Sequence, residues 1–531
     1  MDAQNAPIGY VVSVSGAIVE CVLTENPEGA SQAKIGALVK IETPQSVCFG
    51  MINALRIDGP SSPPSPSDRR IMEVILLGET MEVSPEGDFK FQRGVSVSPQ
   101  LGAGVRTAGS KDLGQIYSKP KSSNLLVGTL HQDPSIPAYF VTDDLLGKHF
   151  SILGTTGAGK SCTVAVVLKA ALEALPCGHI MLLDPHEEYA KAFGDQAEVI
   201  TPDKLYLPYW FLDFEEIVHV FCSKEHPYKE VEANILKEAM LTAKHEYLAS
   251  SGKEDFNLTV DTPTPFRLLR IIELLKIGMG RLDKPESSIP YLRLMARIDS
   301  LRGDKRFSFM FGGLTVEDCM GEIIGQLLRI PVAGKPLTIF NLAGAPMEIV
   351  DVLVSLLCRL IFDFSLWSKP SDRTPVLLVC EEAHRYVPRD PSMGFGPTRR
   401  AISRIAKEGR KYGVSLGLIT QRPSEISESV LSQCNTLISL RMSNDQDQRF
   451  VQNAMPENAA GLLNVLPALR TQEAVVVGEG VTVPMRIRFR DLAENERPQS
   501  DTAKFSTVWD KDDRAKSFID ESITRWRRQI R

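Results

Sequence analysis

The chain lacks most of the marks of a secreted or membrane protein. Its nine cysteines (Cys21, Cys48, Cys162, Cys177, Cys222, Cys319, Cys358, Cys380 and Cys434) are scattered over 531 residues. No CxxC pair or Cys/His cluster at zinc spacing occurs among them, so neither a disulfide framework nor a structural zinc site is expected. That usage suits a reducing, intracellular compartment. The opening residues, MDAQNAPIGY, have no basic segment and no apolar one, so no secretory signal is expected. The most hydrophobic stretch, Ile349 to Trp367, is interrupted by Asp351, Arg359 and Asp363 at helical spacing. It reads as an amphipathic helix and not as a membrane span, and the expected location is the cytoplasm. Positive charge is not in excess either: 60 Lys+Arg face 66 Asp+Glu, a net charge of -6. A mildly acidic chain binds nucleic acid only through basic residues gathered on one surface.

What is present is an ordinary globular composition, 43% hydrophobic and 24% charged, in a chain long enough for several domains. Residues 1–105 read as an N-terminal β-barrel domain, because Val- and Ile-rich runs such as IGYVVSVSGAIVECVL, VCFGMINALRI and IMEVILLGE alternate with Gly, Pro, Asn and Ser. GPSSPPSPSDRR (59–70) reads as a loop between two of those strands. Residues 106–204 read as a linker and the first part of an α/β core, and 331–490 as its second part. HFSILG, IMLLDP, LTIFNLAG, PVLLVCEEAH, VSLGLITQ and TLISLRM are apolar runs of the kind that fill a parallel sheet covered on both faces. Residues 205–330 read as a helical insertion, and QEAVVVGEGVTVPMRIRF as a hairpin around Gly478 and Gly480. Residues 491–531 form a charged C-terminal extension ending in TRWRRQIR. The expected fold is α/β, and Gly154–Ser161, which matches the phosphate-loop pattern G-x-x-x-x-G-K-[ST], makes it a RecA-like P-loop ATPase core with a small N-terminal β-barrel and a helical insertion.

The strongest signal is Gly154-Thr155-Thr156-Gly157-Ala158-Gly159-Lys160-Ser161, a match to G-x-x-x-x-G-K-[ST] between a strand-like run and a helical one. Glycines let backbone N–H groups close around phosphates, and the helix N-terminus adds its positive end. Lys160 is expected on the β- and γ-phosphates of ATP, and Ser161 on Mg²⁺. Cys162, the next residue, reads as a small thiol beside the loop. The strand VLLVC ends in Glu381 and Glu382. One strand-end acid can hold Mg²⁺ through water and the next can orient and deprotonate the attacking water, so Glu381 is assigned to the metal and Glu382 to the water. Gln421, at the end of LGLITQ, is placed to sense the γ-phosphate from between these motifs. In 399–411 the residues Ile402, Ile405, Ala406 and Gly409 form a packed helical stripe. Arg400, Arg404, Lys407 and Lys411 form an opposite basic stripe, open to an acidic neighbour or to DNA phosphates.

GTTGAGKS, LLDPHEEY, NLAGAPME, LVCEEAHRYVP, RIAKEGRKYGVSLGLITQRPSEI, SQCNTLISLR and RPQSDTAKF together resemble the HerA family of ring-forming DNA translocases, relatives of FtsK and the conjugative coupling ATPases. The matching words span residues 149–505. The resemblance implies a homo-hexamer with ATP sites between subunits, double-stranded DNA bound without sequence preference in a central channel, and often a docked nuclease or other effector. It also places an arginine finger at Arg410, with Arg441 a second candidate. Three residues depart from the family pattern: Glu381 stands where Asp is usual, Lys148 where Arg is frequent before the phosphate-loop strand, and Glu187 where Gly is common. Lys148 is expected to supply charge at the nucleotide but no bidentate fork. Trp526, flanked by Arg525, Arg527 and Arg528, is a candidate cap on a neighbouring subunit. The expected function is an ATP-dependent DNA translocase or helicase in DNA repair or antiviral defence. The alternative is an ATP-switched scaffold for an effector enzyme.

Overall fold

The computed structural model describes residues 6–24, 33–59, 68–82, 89–201, 204, 206–222, 228–252, 257–281, 285–311, 316–454, 460–499, 506, 509 and 517–528. Most of the expected loop 59–70 (its residues 60–67) and the last three residues of TRWRRQIR lie outside the described residues.

Seven short strands open the chain: β1 (Gly9–Ser15), β2 (Ile18–Leu23), β3 (Leu38–Glu42), β4 (Val47–Ile57), β5 (Arg70–Glu82), β6 (Phe89–Arg93) and β7 (Gly104–Thr107). Their order is β2-β1-β7-β3-β4-β5-β6, and a further β2–β5 pairing closes six of them into a barrel with β6 outside the closure. Alternation fills it: Val19 and Cys21 of β2 are buried while Ile18 between them and the turn is exposed. At Gly50 a side chain is excluded, since a Cβ there would lie 2.4 Å from Val74 Cγ1. Glycine thereby lets β4 and β5 approach closely beside a bulge in their pairing. Arg93, at the end of β6, donates to the carbonyls of Gly478, Val481 and Thr482 and ties this sheet to the one that follows.

The second sheet has eleven strands, in the order β12-β13-β11-β14-β15-β10-β16-β17-β18-β8-β9. Its parallel part comprises β10 (Phe150–Leu153), β11 (Ile180–Asp184), β12 (Ala197–Ile200), β13 (Leu337–Asn341), β14 (Val376–Cys380), β15 (Val414–Thr420) and β16 (Thr436–Ser439). Every residue of β10, β11, β13, β14, β15 and β16 is buried, as expected for strands covered on both faces. An antiparallel wing follows: β17 (Glu473–Gly478) and β18 (Met485–Phe489) form the hairpin, joined by β8 (Asn124–Leu130) and β9 (Pro137–Val141). So 124–141, in the stretch read as beginning with a linker, belongs to the sheet. Its β8 pairs with β18, more than 350 residues away, and a local pattern cannot show such a partner.

Three helices position the site: α1 (Lys160–Ala174), α2 (Met347–Trp367) and α3 (Gly396–Tyr412). Among the described residues no helix is long and apolar enough to cross a membrane. Helices Phe214–Phe221, Lys229–Ser251, Leu268–Met279, Ile289–Gly303 and Met320–Leu328 lie between β12 and β13. The first begins with a capping box in which Asp213 accepts from the amide of Glu216 and the Glu216 carboxylate accepts from that of Asp213. Glu216, 1% exposed, then takes the Ser355 hydroxyl at 2.7 Å and Arg359 Nη2 at 2.9 Å, which locks the helical region to α2. Residues Gln499–Arg531 are a separate compact unit containing the helix Ser517–Arg528, on which Trp526 is exposed.

Replacing Arg359 by Met leaves Glu216 buried with no cation. The expected loss is about 3–5 kcal/mol, read from chemical denaturation, and Glu216→Gln in the same background should restore part of it.

Candidate nucleotide site

The strand order decides what meets at the phosphate loop. β10 lies between β15 and β16, and β14 stands one strand further out, beyond β15. All four run parallel, so Gly154, Glu381, Gln421 and Arg441, each just past a strand's last residue or two, collect at one edge of the sheet.

The loop is held from both sides. Gly154 donates to Thr420 O at 3.3 Å, while the Thr155 amide and hydroxyl both donate to Arg441 O at 3.0 Å. A Cβ on Gly154 would come within 2.9 Å of Leu440 Cβ. Gly157 and Gly159 take φ of +76° and +97°, the left-handed region that admits glycine freely. Ala158 is fully buried, and its carbonyl accepts the Gln472 amide at 3.4 Å. α1 starts at Lys160 with Gly159 as its N-cap and no side-chain cap, so its first amides are left for an anion. Lys160 Nζ rests 3.3 Å from Thr155 O, its pKa lowered by burial and held up by Glu381, Glu382 and Glu188. Cys162 is half-buried in the first turn of α1, where burial raises its pKa.

Thr156 Oγ1 donates to Gln421 Oε1 at 2.5 Å, which puts Gln421 against the loop. The two strand-end acids differ in setting. Glu381 is buried and accepts the Tyr189 hydroxyl at 2.8 Å, and burial pushes its pKa up to about 7 against that bond. Glu382 has φ of 53°, an uncommon backbone for a residue with a side chain and one that often marks functional sites. Two histidines flank its carboxylate, His384 Nδ1 at 3.2 Å and His186 Nε2 at 3.7 Å. His384 Nδ1 also lies 3.0 Å from Thr420 Oγ1, and burial lowers the pKa of that imidazole.

Three acids thus surround one lysine. Glu381 Oε2 is buried without a hydrogen-bond partner, and Glu382 Oε2, also buried, has His384 Nδ1 beside it at 3.2 Å. Buried carboxylate oxygens beside an open helix N-terminus fit a triphosphate carrying a divalent cation. Among the described residues no group of three or more His, Cys, Asp or Glu is arranged to hold a metal alone. Ser161, Glu188 and the strand-end acids are oxygen donors of the kind that suit Mg²⁺, which keeps much of its water and shares substrate phosphates.

Sequence reasoning passed over a further set of residues. The turn after β11 carries His186, Glu188 and Tyr189, and Ser161 Oγ donates to Glu188 Oε2 at 2.6 Å. Only Glu187 of this turn was singled out. Its φ of 59° explains why glycine suits that position.

The structure also locates the cations expected around the nucleotide. Lys148 precedes β10 at the opposite edge of the sheet, about 20 Å of extended chain from Gly154 at a rise of about 3.3 Å per residue. It pairs there with Asp144 at 2.5 Å and with Glu479, not with its own phosphate loop. Arg441 sits at the phosphate edge, where its backbone carbonyl accepts the Thr155 amide and hydroxyl of the same chain. Arg410, exposed near the end of α3, lies at the Lys148 edge, where its charge acts on Glu479 and His149. The basic stripe of α3 is partly neutralised within the chain: Arg400 pairs with Glu215, and Arg404 pairs with Asp363 at 3.6 Å and lies over the Phe362 ring at 4.4 Å. Helical periodicity showed the face but not the acids brought to it by other elements.

Known proteins resemble this chain over most of its length. Residues 125–361 match the family model described as Helicase HerA, central domain. The chain is 26% identical over 407 residues to the DNA double-strand break repair helicase HerA of Pyrococcus furiosus, covering 69% of this chain and 70% of that protein. It is 24% identical over 534 residues to the protein of the same name from Saccharolobus solfataricus, covering 97% and 98%. Among solved structures, VirB4 of Thermoanaerobacter pseudethanolicus superposes with a TM-score of 0.48 at 17% identity, covering 71% of this chain and 98% of that one.

His149 gives a pH-dependent prediction. Its Nδ1 accepts the Leu416 amide at 2.9 Å, and burial lowers its pKa to about 4. The unfolded chain binds this proton first, so the contribution is complete above pH about 6.5 and is lost as pH falls toward about 4. Asn keeps an acceptor and tolerates the φ of 53° found here. In urea denaturation, wild type should lose about 2 kcal/mol more than His149→Asn between pH 7.5 and pH 5.

Proposed function

We propose that this chain, which belongs to the HerA family of P-loop ATPases, uses ATP to drive double-stranded DNA through a ring of its own copies. The observation that carries this reading is the separation of the phosphate-loop residues from Lys148 and Arg410 on opposite edges of the sheet. One edge holds the phosphate loop, Glu381, Glu382 and Gln421; the other holds Lys148 and Arg410. A head-to-tail contact between copies brings the second edge of one to the first edge of the next, and repetition of such a contact closes a ring. Six copies is the number proposed. The relatives named as DNA double-strand break repair helicases support DNA as the polymer moved. A nuclease or other effector supplies the cutting, in end processing or in antiphage defence.

Bound ATP with Mg²⁺ supplies the anhydride bond that is broken. Lys160 and the first amides of α1 neutralise the phosphates, and Ser161 and Glu381 hold the metal's shell. Glu382 orients the attacking water and accepts its proton. Gln421, bonded to Thr156, reports the γ-phosphate to β15. Arg410, acting from the neighbouring copy, stabilises the transition-state charge; mutating such arginines commonly costs about 10³-fold or more in turnover.

DNA bound through phosphates in a ring channel is held without regard to sequence and is released steeply as salt rises. Long duplex DNA should raise ATP turnover at low salt, and the stimulation should shrink as salt increases. Turnover that never responds to DNA, with or without a partner effector, contradicts the motor. A second measurement addresses the ring. Mixing Glu382→Gln copies with Arg410→Ala copies should restore some turnover, because part of the interfaces are then intact. Monomers with full activity in a solution mass measurement overturn the ring.

A further inference from the structure

We propose that Glu188, acting through the Ser161 hydroxyl, sets the metal dependence of nucleotide binding; this rests on the reading of the site as one for Mg²⁺ and ATP. A serine hydroxyl has one hydrogen and two lone pairs. Ser161 gives that hydrogen to Glu188 at 2.6 Å, so its lone pairs are the part left for a cation. Motif reasoning gives the neighbouring role to the strand-end acid Glu381. Here, however, one Glu381 oxygen is taken by Tyr189 at 2.8 Å. Glu188 is the carboxylate in contact with the serine.

The position of Glu188 is built, not incidental. β11 ends in Asp184, fully buried, whose carboxylate accepts the amides of His186 and Tyr189, each at 3.1 Å, and is also bonded by the amide of Glu188. The turn this carboxylate folds sends Glu188 to Ser161 and Tyr189 to Glu381. Glu187, at φ 59° just before them, lets the chain reverse sharply enough to do so. A metal that keeps much of its water is governed as much by the groups that orient its ligands as by the ligands themselves, and losing such a group costs about 10- to 100-fold in metal affinity. Glu188 is therefore a positioning residue, whose effect passes through one hydroxyl.

The test is ADP affinity by calorimetry, in Mg²⁺ and in EDTA, for wild type and for Glu188→Gln, Glu381→Gln, Ser161→Ala and the Ser161→Ala/Glu188→Gln pair. Glu188→Gln should weaken binding about tenfold or more in Mg²⁺ and less than about twofold in EDTA. Once Ser161 is alanine, adding Glu188→Gln should change the Mg²⁺ value less than about twofold, because the path is gone. The proposal is overturned if Glu188→Gln keeps the wild-type ratio of the two affinities, whether or not Glu381→Gln loses it. It is equally overturned if the loss is as large in EDTA, or if it persists without the Ser161 hydroxyl. Wild type that binds ADP in neither buffer overturns the parent reading as well, which separates the two failures.

Discussion

The buried carboxylate of Asp184 is the interaction on which the rest of the site depends. It lies at the end of a strand with no exposed residue, and burial raises its pKa while three backbone amides pull the other way. An anion so placed is stabilised only by the turn that wraps it, and the turn exists because the anion needs those amides. Through that turn one carboxylate places His186 by Glu382, Glu188 by Ser161 and Tyr189 by Glu381. The phosphate loop, the strand-end acids and the turn are three separate stretches of sequence, and Asp184 links the third to the other two.

The parallel sheet imposes the second constraint. Every strand of its central part points the same way, so groups that end strands and groups that begin them cannot meet within one copy. The triphosphate chemistry is assembled at the first edge, while Lys148 and Arg410 lie at the second, in a network with Asp144, Glu479 and Asn435. His149 ties this second edge to β15 by accepting the Leu416 amide, and Gln421 follows the last residue of β15 on the first edge. One strand therefore spans from the proposed trans-acting face to the nucleotide.

Much of this was legible in the residues. The phosphate loop could be read because backbone chemistry demands glycines with positive φ at Gly157 and Gly159, followed at once by Lys160 and Ser161. The barrel and the buried strands were legible for the same reason: alternation and continuous apolar runs are direct records of one- and two-sided burial. What escaped was whatever depends on partners distant in sequence. β8 and β9 find their place only through β18. Arg400 and Arg404 looked available until Glu215 and Asp363 were brought to them by other elements. Arg441 was assigned by its charge, whereas its structural part is played by its carbonyl. Glu188 was within view in DPHEEY, four residues after a strand-end Asp. That spacing, a buried acid followed by a short turn and a second acid, is the signal that could have found it.

The central claim is that one loop binds the triphosphate and a separate acid, Glu382, activates the water that attacks it. Measuring ATP affinity and single-turnover hydrolysis for Lys160→Ala and Glu382→Gln tests that division most directly. The account predicts that Lys160→Ala loses tight ATP binding, while Glu382→Gln binds ATP as wild type does and retains it uncleaved. Hydrolysis by Glu382→Gln at the wild-type rate contradicts it.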